Sequence, residues 1–230
     1  MNPQLNNIKN HPNFEELHEE IWVIHDFTTE NERNFYLELA KNAPEEDWWQ
    51  REPGWWNGKF LPVPKESQIP NQIVEKIKSI VDENEYWVWG NPASVHRIQP
   101  GEKMFLHADN PNEKSGLNNW VDLSFVLYHN NFNGGEIIYP QLNLEYHPVA
   151  GDLLMHPGSQ NYIHGTNEVL PGPTRYNSTM WAYDSRAKKL HEDGLVYEGY
   201  KTKNQLLSLY NGEKPNDIFS NGERKIGDNV

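Results

Sequence analysis

The chain has 230 residues, nine of them Trp, with no cysteine and a formal net charge of −13. That length suits one compact domain; the missing cysteines exclude disulfides, thiolate metal sites and cysteine nucleophiles; and the acidic balance disfavours a nucleic-acid partner, whose phosphates are met by Lys and Arg. No stretch reaches the ~20 apolar residues of a membrane span, and Met1 to Lys9 is polar, so a soluble, cytoplasmic protein with no membrane partner is expected.

Taken in chain order, 28–42 opens on a candidate cap and places Phe35, Tyr36 and Leu39 on one stripe, which predicts an amphipathic helix. A second helix is predicted over 70–82, where Ile73, Ile77, Ile80 and Val81 recur at helical spacing and Pro70 suits a first turn. Between them, 45–64 is rich in Pro, Gly and Trp without sustained periodicity, which predicts strand and loop, with a lid over a pocket as one use of it. From Ala93 the pattern becomes short apolar-alternating runs parted by Gly, Pro and Asn: 94–99, 103–109, 121–130, 135–140, 143–148, 152–157, 160–165 and 174–184. That spacing predicts a mainly β sandwich or barrel, buttressed by the N-terminal helices. The tail from Ser185 carries one weak helical pattern at 204–210 and is otherwise polar. The organisation expected is one domain, with support and a Trp-rich loop in 1–93, the β core in 94–184 and an extension in 185–230.

His107 and Asp109 close the run Met104-Phe105-Leu106, and on a strand residues two apart point to one side. With no thiolates in the chain, a third ligand must be His or carboxylate, and His164 ends a later predicted strand, just before Gly165. Two imidazoles and one carboxylate form a facial triad that leaves positions open on Fe(II), which a closed structural zinc site does not. A lone His-x-Asp triplet is weak evidence, and a second one, His191-Glu192-Asp193, lies among charged residues with no later histidine, so it reads as solvated surface. His129, His147 and His156 have no carboxylate partner at productive spacing and read as ordinary surface or hydrogen-bonded core histidines.

Eleven residues beyond His164, Arg175 opens Arg175-Tyr176-Asn177-Ser178-Thr179-Met180-Trp181, an alternating segment that predicts the last barrel strand. Its guanidinium could grip a carboxylate through two N–H groups, and Thr179 and Trp181 share its face. A surface ion pair is the plainer use of the same arginine.

Several segments together resemble the prolyl 4-hydroxylase-type 2-oxoglutarate/Fe(II)-dependent dioxygenases over roughly 94–184: Pro100-Gly101, the run from His107 to Asn112, Gly134-Gly135-Glu136, Gly151-Asp152-Leu153-Leu154, His164-Gly165 and the run from Thr174 to Trp181. The first and last His- and Arg-bearing runs are most similar to the oxygen-sensing prolyl hydroxylases and their bacterial relatives, whereas collagen-type members carry Lys at the Arg175 position. The resemblance implies a distorted double-stranded β-helix, of jelly-roll or cupin-like form, and a metal triad of His107, Asp109 and His164. It implies Fe(II) as metal, 2-oxoglutarate and O2 as co-substrates, and a proline-containing peptide or protein as substrate. It also implies that Tyr128 binds the distal carboxylate of 2-oxoglutarate together with Arg175, that Thr179 and Trp181 line the same pocket, and that the segment between Trp48 and Phe60 closes over a peptide. One departure is the interval from His164 to Arg175, two residues longer than is usual in the oxygen-sensing branch, with Pro171-Gly172-Pro173 able to absorb the difference.

Three other readings stay open at this stage. The same iron chemistry could serve a free amino acid or other small molecule; the chain could be a non-catalytic, cupin-like module holding Zn(II), Ni(II) or nothing; and a nucleic-acid demethylase would need a local basic groove that the overall charge argues against.

Overall fold

A computed structural model describes residues 6–50, 57–64, 66–82, 84–89, 92–110 and 121–192. In order these form α1 (Asn6–Lys9), β1 (Phe14–His18), β2 (Ile21–Ile24), α2 (Glu30–Asn42), β3 (Trp49–Gln50), β4 (Lys59–Pro62), α3 (Gln68–Ile80), β5 (Tyr86–Trp89), β6 (Ser94–Ile98), β7 (Val121–Tyr128), β8 (Ile137–Tyr139), β9 (Leu144–Tyr146), β10 (Leu153–Pro157), β11 (Gly165–Thr166), β12 (Arg175–Asp184) and α4 (Arg186–Glu192).

A nine-stranded antiparallel sheet runs β1-β2-β10-β7-β12-β6-β4-β3, with β5 pairing the far end of β12, and a three-stranded sheet runs β11-β8-β9. Side-chain alternation sorts the large sheet into two faces. Trp22, Ile24, Leu123, Phe125, Leu127, Leu153, Met155, Met180 and Ala182 turn outward and pack with Tyr36, Ile73 and Ile77 of the helices. Ile21, Val23, Val126, Tyr128 and Leu154 turn inward and pack with Ile137 and Tyr139 of the small sheet. β7 is therefore covered on both faces, which is why seven of its eight residues are buried instead of alternating with polar ones.

Both helices form where the periodicity places them. α2 starts from a capping box: the Thr29 side chain accepts from the Glu32 N–H, and the Glu32 carboxylate accepts from the Thr29 N–H at 2.7 Å. Lys76 of α3 then reaches Glu32 at 2.9 Å and ties the two helices together. In α3 Ile73, Val74, Ile77 and Ile80 form the buried stripe, and Pro70 sits within its first turn.

Three expectations are corrected. The N-terminal part is more than helical support, because β1 to β4 lengthen the large sheet at both edges and β5 pairs β12. Their segments are too short for alternation to stand out, and β2 is buried on both faces. Residues 103–109 form no regular strand; they carry single bridge residues at Met104 and at His107, the latter pairing antiparallel with His164. Residues 160–162 are a 3-10 turn, so of the strand predicted over 160–165 only Gly165 lies in a strand, β11, which pairs with β8. The helical pattern at 204–210, Trp55, Trp56, Asp193 and the Pro111-Asn112 pair lie outside the described residues, among which no helix is long and apolar enough to cross a membrane.

Candidate metal and carboxylate site

The two sheets leave between them a cavity of about 90 Å³, and the residues singled out from sequence line it: His107, Asp109, Tyr128, His164, Arg175, Thr179 and Trp181. His107 and His164 are brought together by their reciprocal backbone hydrogen bonds, each 2.9 Å. Asp109 follows in the same irregular segment, its Oδ1 3.6 Å from His107 Nε2 and its Oδ2 4.0 Å from His164 Nε2. One donor atom from each of the three lies within 4.8 Å of the others.

The ring orientations suit a cation. His107 Nδ1 lies 2.8 Å from the Phe105 carbonyl oxygen and His164 Nδ1 3.0 Å from that of Tyr162, so each ring is fixed as the tautomer that donates from Nδ1 and presents the Nε2 lone pair. Burial pushes His164 down to about 3, helped by neighbouring His156, so it is neutral at physiological pH and no proton has to leave before coordination. Burial would raise the Asp109 carboxyl, but the two imidazoles that face it, His107 foremost, outweigh burial and hold it well below the usual carboxylate range. Two imidazoles aimed through Nε2 beside an ionised carboxylate are the donor set that a divalent transition metal takes.

At the other end of the cavity Arg175 is fully buried among Tyr128 and Phe132, its guanidinium carbon 5.3 Å and 5.4 Å from their ring centres. Arg175 Nη1 donates to the Gly135 carbonyl at 3.2 Å, whereas its Nε and the Tyr128 hydroxyl have no hydrogen-bond partner among the described residues. Burial pushes the Tyr128 hydroxyl up to about 12, so it keeps its proton and remains a donor. Two buried donors left unsatisfied are costly unless a ligand completes them, and an anionic oxygen would do so. The Gly134-Gly135 pair makes this geometry possible: both have positive φ, 62° and 64°, and a Cβ at Gly134 would meet the Glu168 carbonyl oxygen at 2.6 Å.

Between the two ends, β12 sends Arg175, Thr179 and Trp181 to the cavity, as its alternation predicted. Asn177, His96 and Ser124 also line it, although nothing in the sequence distinguished them from polar strand residues. His156 is fully buried with its ring 4.3 Å from that of His164, so it belongs to the surroundings of the site. His129, by contrast, is tied to Ser178 at 2.8 Å and stacked on Tyr36. His147 does have a carboxylate partner, Glu136 at 3.2 Å, because antiparallel pairing of β8 and β9 brings together residues eleven apart.

Residues 93–183 match the 2OG-Fe(II) oxygenase superfamily. No curated protein sequence matches the chain. Among solved structures, the viral collagen prolyl hydroxylase of Paramecium bursaria Chlorella virus-1 in its 2OG complex is similar at TM-score 0.56 and 15% identity, over 72% of this chain and 96% of that one. A Trichoplax adhaerens prolyl hydroxylase in complex with a hypoxia-inducible-factor oxygen-degradation-domain peptide gives 0.58 and 15%, over 82% and 91%. A Pseudomonas putida prolyl-4-hydroxylase gives 0.57 and 15%, over 78% and 96%. At this identity the likeness speaks for the fold, the double-stranded β-helix.

Proposed function

With residues 93–183 belonging to the 2OG-Fe(II) oxygenase superfamily, we propose that this enzyme hydroxylates a prolyl residue in a peptide or protein. The family uses Fe(II), 2-oxoglutarate and O2. The observation that carries the reading is one cavity with a metal-suited triad at one end and two unpartnered buried donors at the other. A purely structural metal site has no use for the second feature.

In this reading His107, Asp109 and His164 would hold Fe(II), and Arg175 with Tyr128 would take the distal carboxylate of 2-oxoglutarate. When bound, the iron supplies O2 activation coupled to oxidative decarboxylation, so that one oxygen atom leaves in succinate, CO2 departs, and the other becomes the product hydroxyl. The chain's own residues position and exclude. Arg175 and Tyr128 fix the far end of the oxo acid, which sets the reach of its near end toward the triad. Ile98, Val126 and Ile137 wall the cavity with apolar surface, which keeps water away from the reacting centre. Trp181 and Thr179 fill the β12 side of the same chamber.

A peptide substrate is favoured over a small molecule by what surrounds the mouth. Phe105 and Leu106, immediately before His107, are 40% and 55% exposed. Exposed apolar side chains beside a metal site suit an extended Pro-containing segment, whereas a free amino acid calls for an enclosed chamber. The fold's likeness to prolyl hydroxylases, one of them in complex with a peptide, points the same way.

The test is anaerobic titration of Fe(II)-loaded protein with 2-oxoglutarate, watching for the weak visible charge-transfer band of a bidentate iron–oxo-acid chelate. Its appearance, and its decay on admitting O2 with succinate formed, is the expected result. Proline-containing peptides are then screened for the mass gain of one oxygen atom. Iron binding with no band would return the chain to the metal-binding-module reading.

A further inference from the structure

We infer that Ser124 is a positioning residue that commits Asp109 to the metal through a single oxygen and so keeps vacant the coordination position that the co-substrates require. The inference rests on the dioxygenase reading and concerns a residue that neither the triad nor the carboxylate site includes.

Ser124 lies in the middle of β7, the strand covered on both faces, and is 2% exposed. Its Oγ donates to Asp109 Oδ2 at 2.5 Å. A serine hydroxyl has one proton, and here it is spent on that oxygen. The cross-strand neighbours of Ser124 are Trp181 on β12 and His156 on β10, both large, so the hydroxyl is fenced between two rings.

Asp109 needs such a tether. The backbone around it is the irregular segment held by the His107–His164 bridge, and it forms no named strand that would fix the carboxylate's rotation. Ser124 supplies the missing restraint from a strand packed on both faces. A carboxylate offers two oxygens, and both could reach one cation. Three protein donors leave three positions on a six-coordinate metal, two for the oxo acid and one for O2. A carboxylate bound through both oxygens would fill one of them. Hydrogen bonding to Oδ2 weakens it as a second ligand and leaves Oδ1, on the His107 side, as the ligating atom.

The test compares wild type, Ser124→Ala and Ser124→Thr under anaerobic conditions. Fe(II) affinity is measured by calorimetry, coordination by the visible spectrum of the Co(II)-substituted protein, and folding by the melting temperature without metal. The expected result is that Ser124→Ala melts like wild type but binds Fe(II) about 10- to 100-fold more weakly, with an altered Co(II) spectrum. Ser124→Thr, which keeps the hydroxyl, restores both. Equal Fe(II) affinity and an identical Co(II) spectrum in Ser124→Ala would overturn the inference, as would failure of wild type to bind the metal. If wild type binds Fe(II) without a 2-oxoglutarate band while Ser124→Ala still loses affinity, the tether stands and the dioxygenase reading falls.

Discussion

The guanidinium carbon of Arg175 lies 5.3 Å from the centre of the Tyr128 ring, and each residue brings to the cavity a buried polar atom that has no hydrogen-bond partner among the described residues. Their strands are paired two residues away, through Asn177 and Tyr128, so the relationship is set by sheet register. Loss of a charge-assisted hydrogen bond costs about 1.5–3 kcal/mol, which is roughly 10- to 150-fold in affinity. Arg175→Met, which keeps most of the buried volume, is expected to weaken 2-oxoglutarate binding by that factor and leave Fe(II) binding unchanged. Tyr128→Phe is expected to weaken it less, because the arginine remains. Titration of the charge-transfer band measures both, and wild-type affinity in Arg175→Met would remove Arg175 from the site.

Metal binding should be visible as stability. An ion that binds only the folded chain adds RT ln(1 + [L]/Kd), about 2.7 kcal/mol at a free concentration of 100 Kd. A non-reacting divalent ion such as Mn(II) is therefore expected to raise the melting temperature of wild type. Asp109→Ala removes the one carboxylate of the triad and should abolish that rise together with turnover. A melting temperature of Asp109→Ala that still climbs with Mn(II) would show the ion binding elsewhere.

Part of this site was legible in the sequence because alternation along β12 does much of the placing. Arg175 with Thr179 and Trp181 was readable from that alternation, and the structure puts them around one cavity with His107 and Asp109, whose strand expectation failed because they sit in an irregular segment. His164 was readable only as a histidine ending a predicted strand, and what brings it to His107 is a pairing across more than fifty residues. Ser124 and His156 were not legible. A serine in a buried strand and a histidine in an apolar run have no local signature, and their meaning comes from the β10–β7–β12 register that sets them in one row. The strands at one edge were missed for a related reason: β1 and β2 are only five and four residues long, and β2 is held extended by pairing with β10 far along the chain.

His25 carries a pH dependence outside the site. Its Nδ1 is 2.9 Å from Asp152 Oδ1 and its Nε2 2.8 Å from Glu15 Oε2, so it joins β1 and β2 to the turn before β10. Burial lowers its pKa, but hydrogen bonds and charge from Glu15 and Asp152 outweigh burial and raise it above the ordinary 6.5. A group with a raised folded pKa gives stability that is fully present below 6.5 and is lost as the pH rises through the folded value. His25 is more than a third exposed, so solvent screening limits the effect to about 0.5 kcal/mol. Urea unfolding of wild type and His25→Gln at about pH 6 and about pH 8 should show the wild-type advantage shrinking at the higher pH. An advantage that grew with pH would mean the imidazolium is not what Glu15 and Asp152 hold.

Gly135 links backbone conformation to co-substrate binding. It has φ of 64°, and its carbonyl accepts from Arg175 Nη1 at 3.2 Å. A Cβ there would stand 3.0 Å from the Val169 side chain and 3.2 Å from the Phe132 ring, closer than side chains ordinarily pack. Gly135→Ala therefore meets two penalties, the left-handed backbone at about 1–2 kcal/mol and a contact that must be relieved by movement. The easiest relief rotates the peptide, and that turns the carbonyl away from the guanidinium. The variant is expected to lose about 1–3 kcal/mol of stability, and to bind 2-oxoglutarate more weakly even where it is fully folded. Asn133→Ala, in the same loop but with its side chain on the Pro171 carbonyl at 2.9 Å, is the control for loop destabilisation alone. If the two variants lose stability alike and only Gly135→Ala loses co-substrate affinity, the Gly135 carbonyl is part of what aims Arg175. If both retain wild-type affinity, Arg175 is held by its packing against Tyr128 and Phe132 instead.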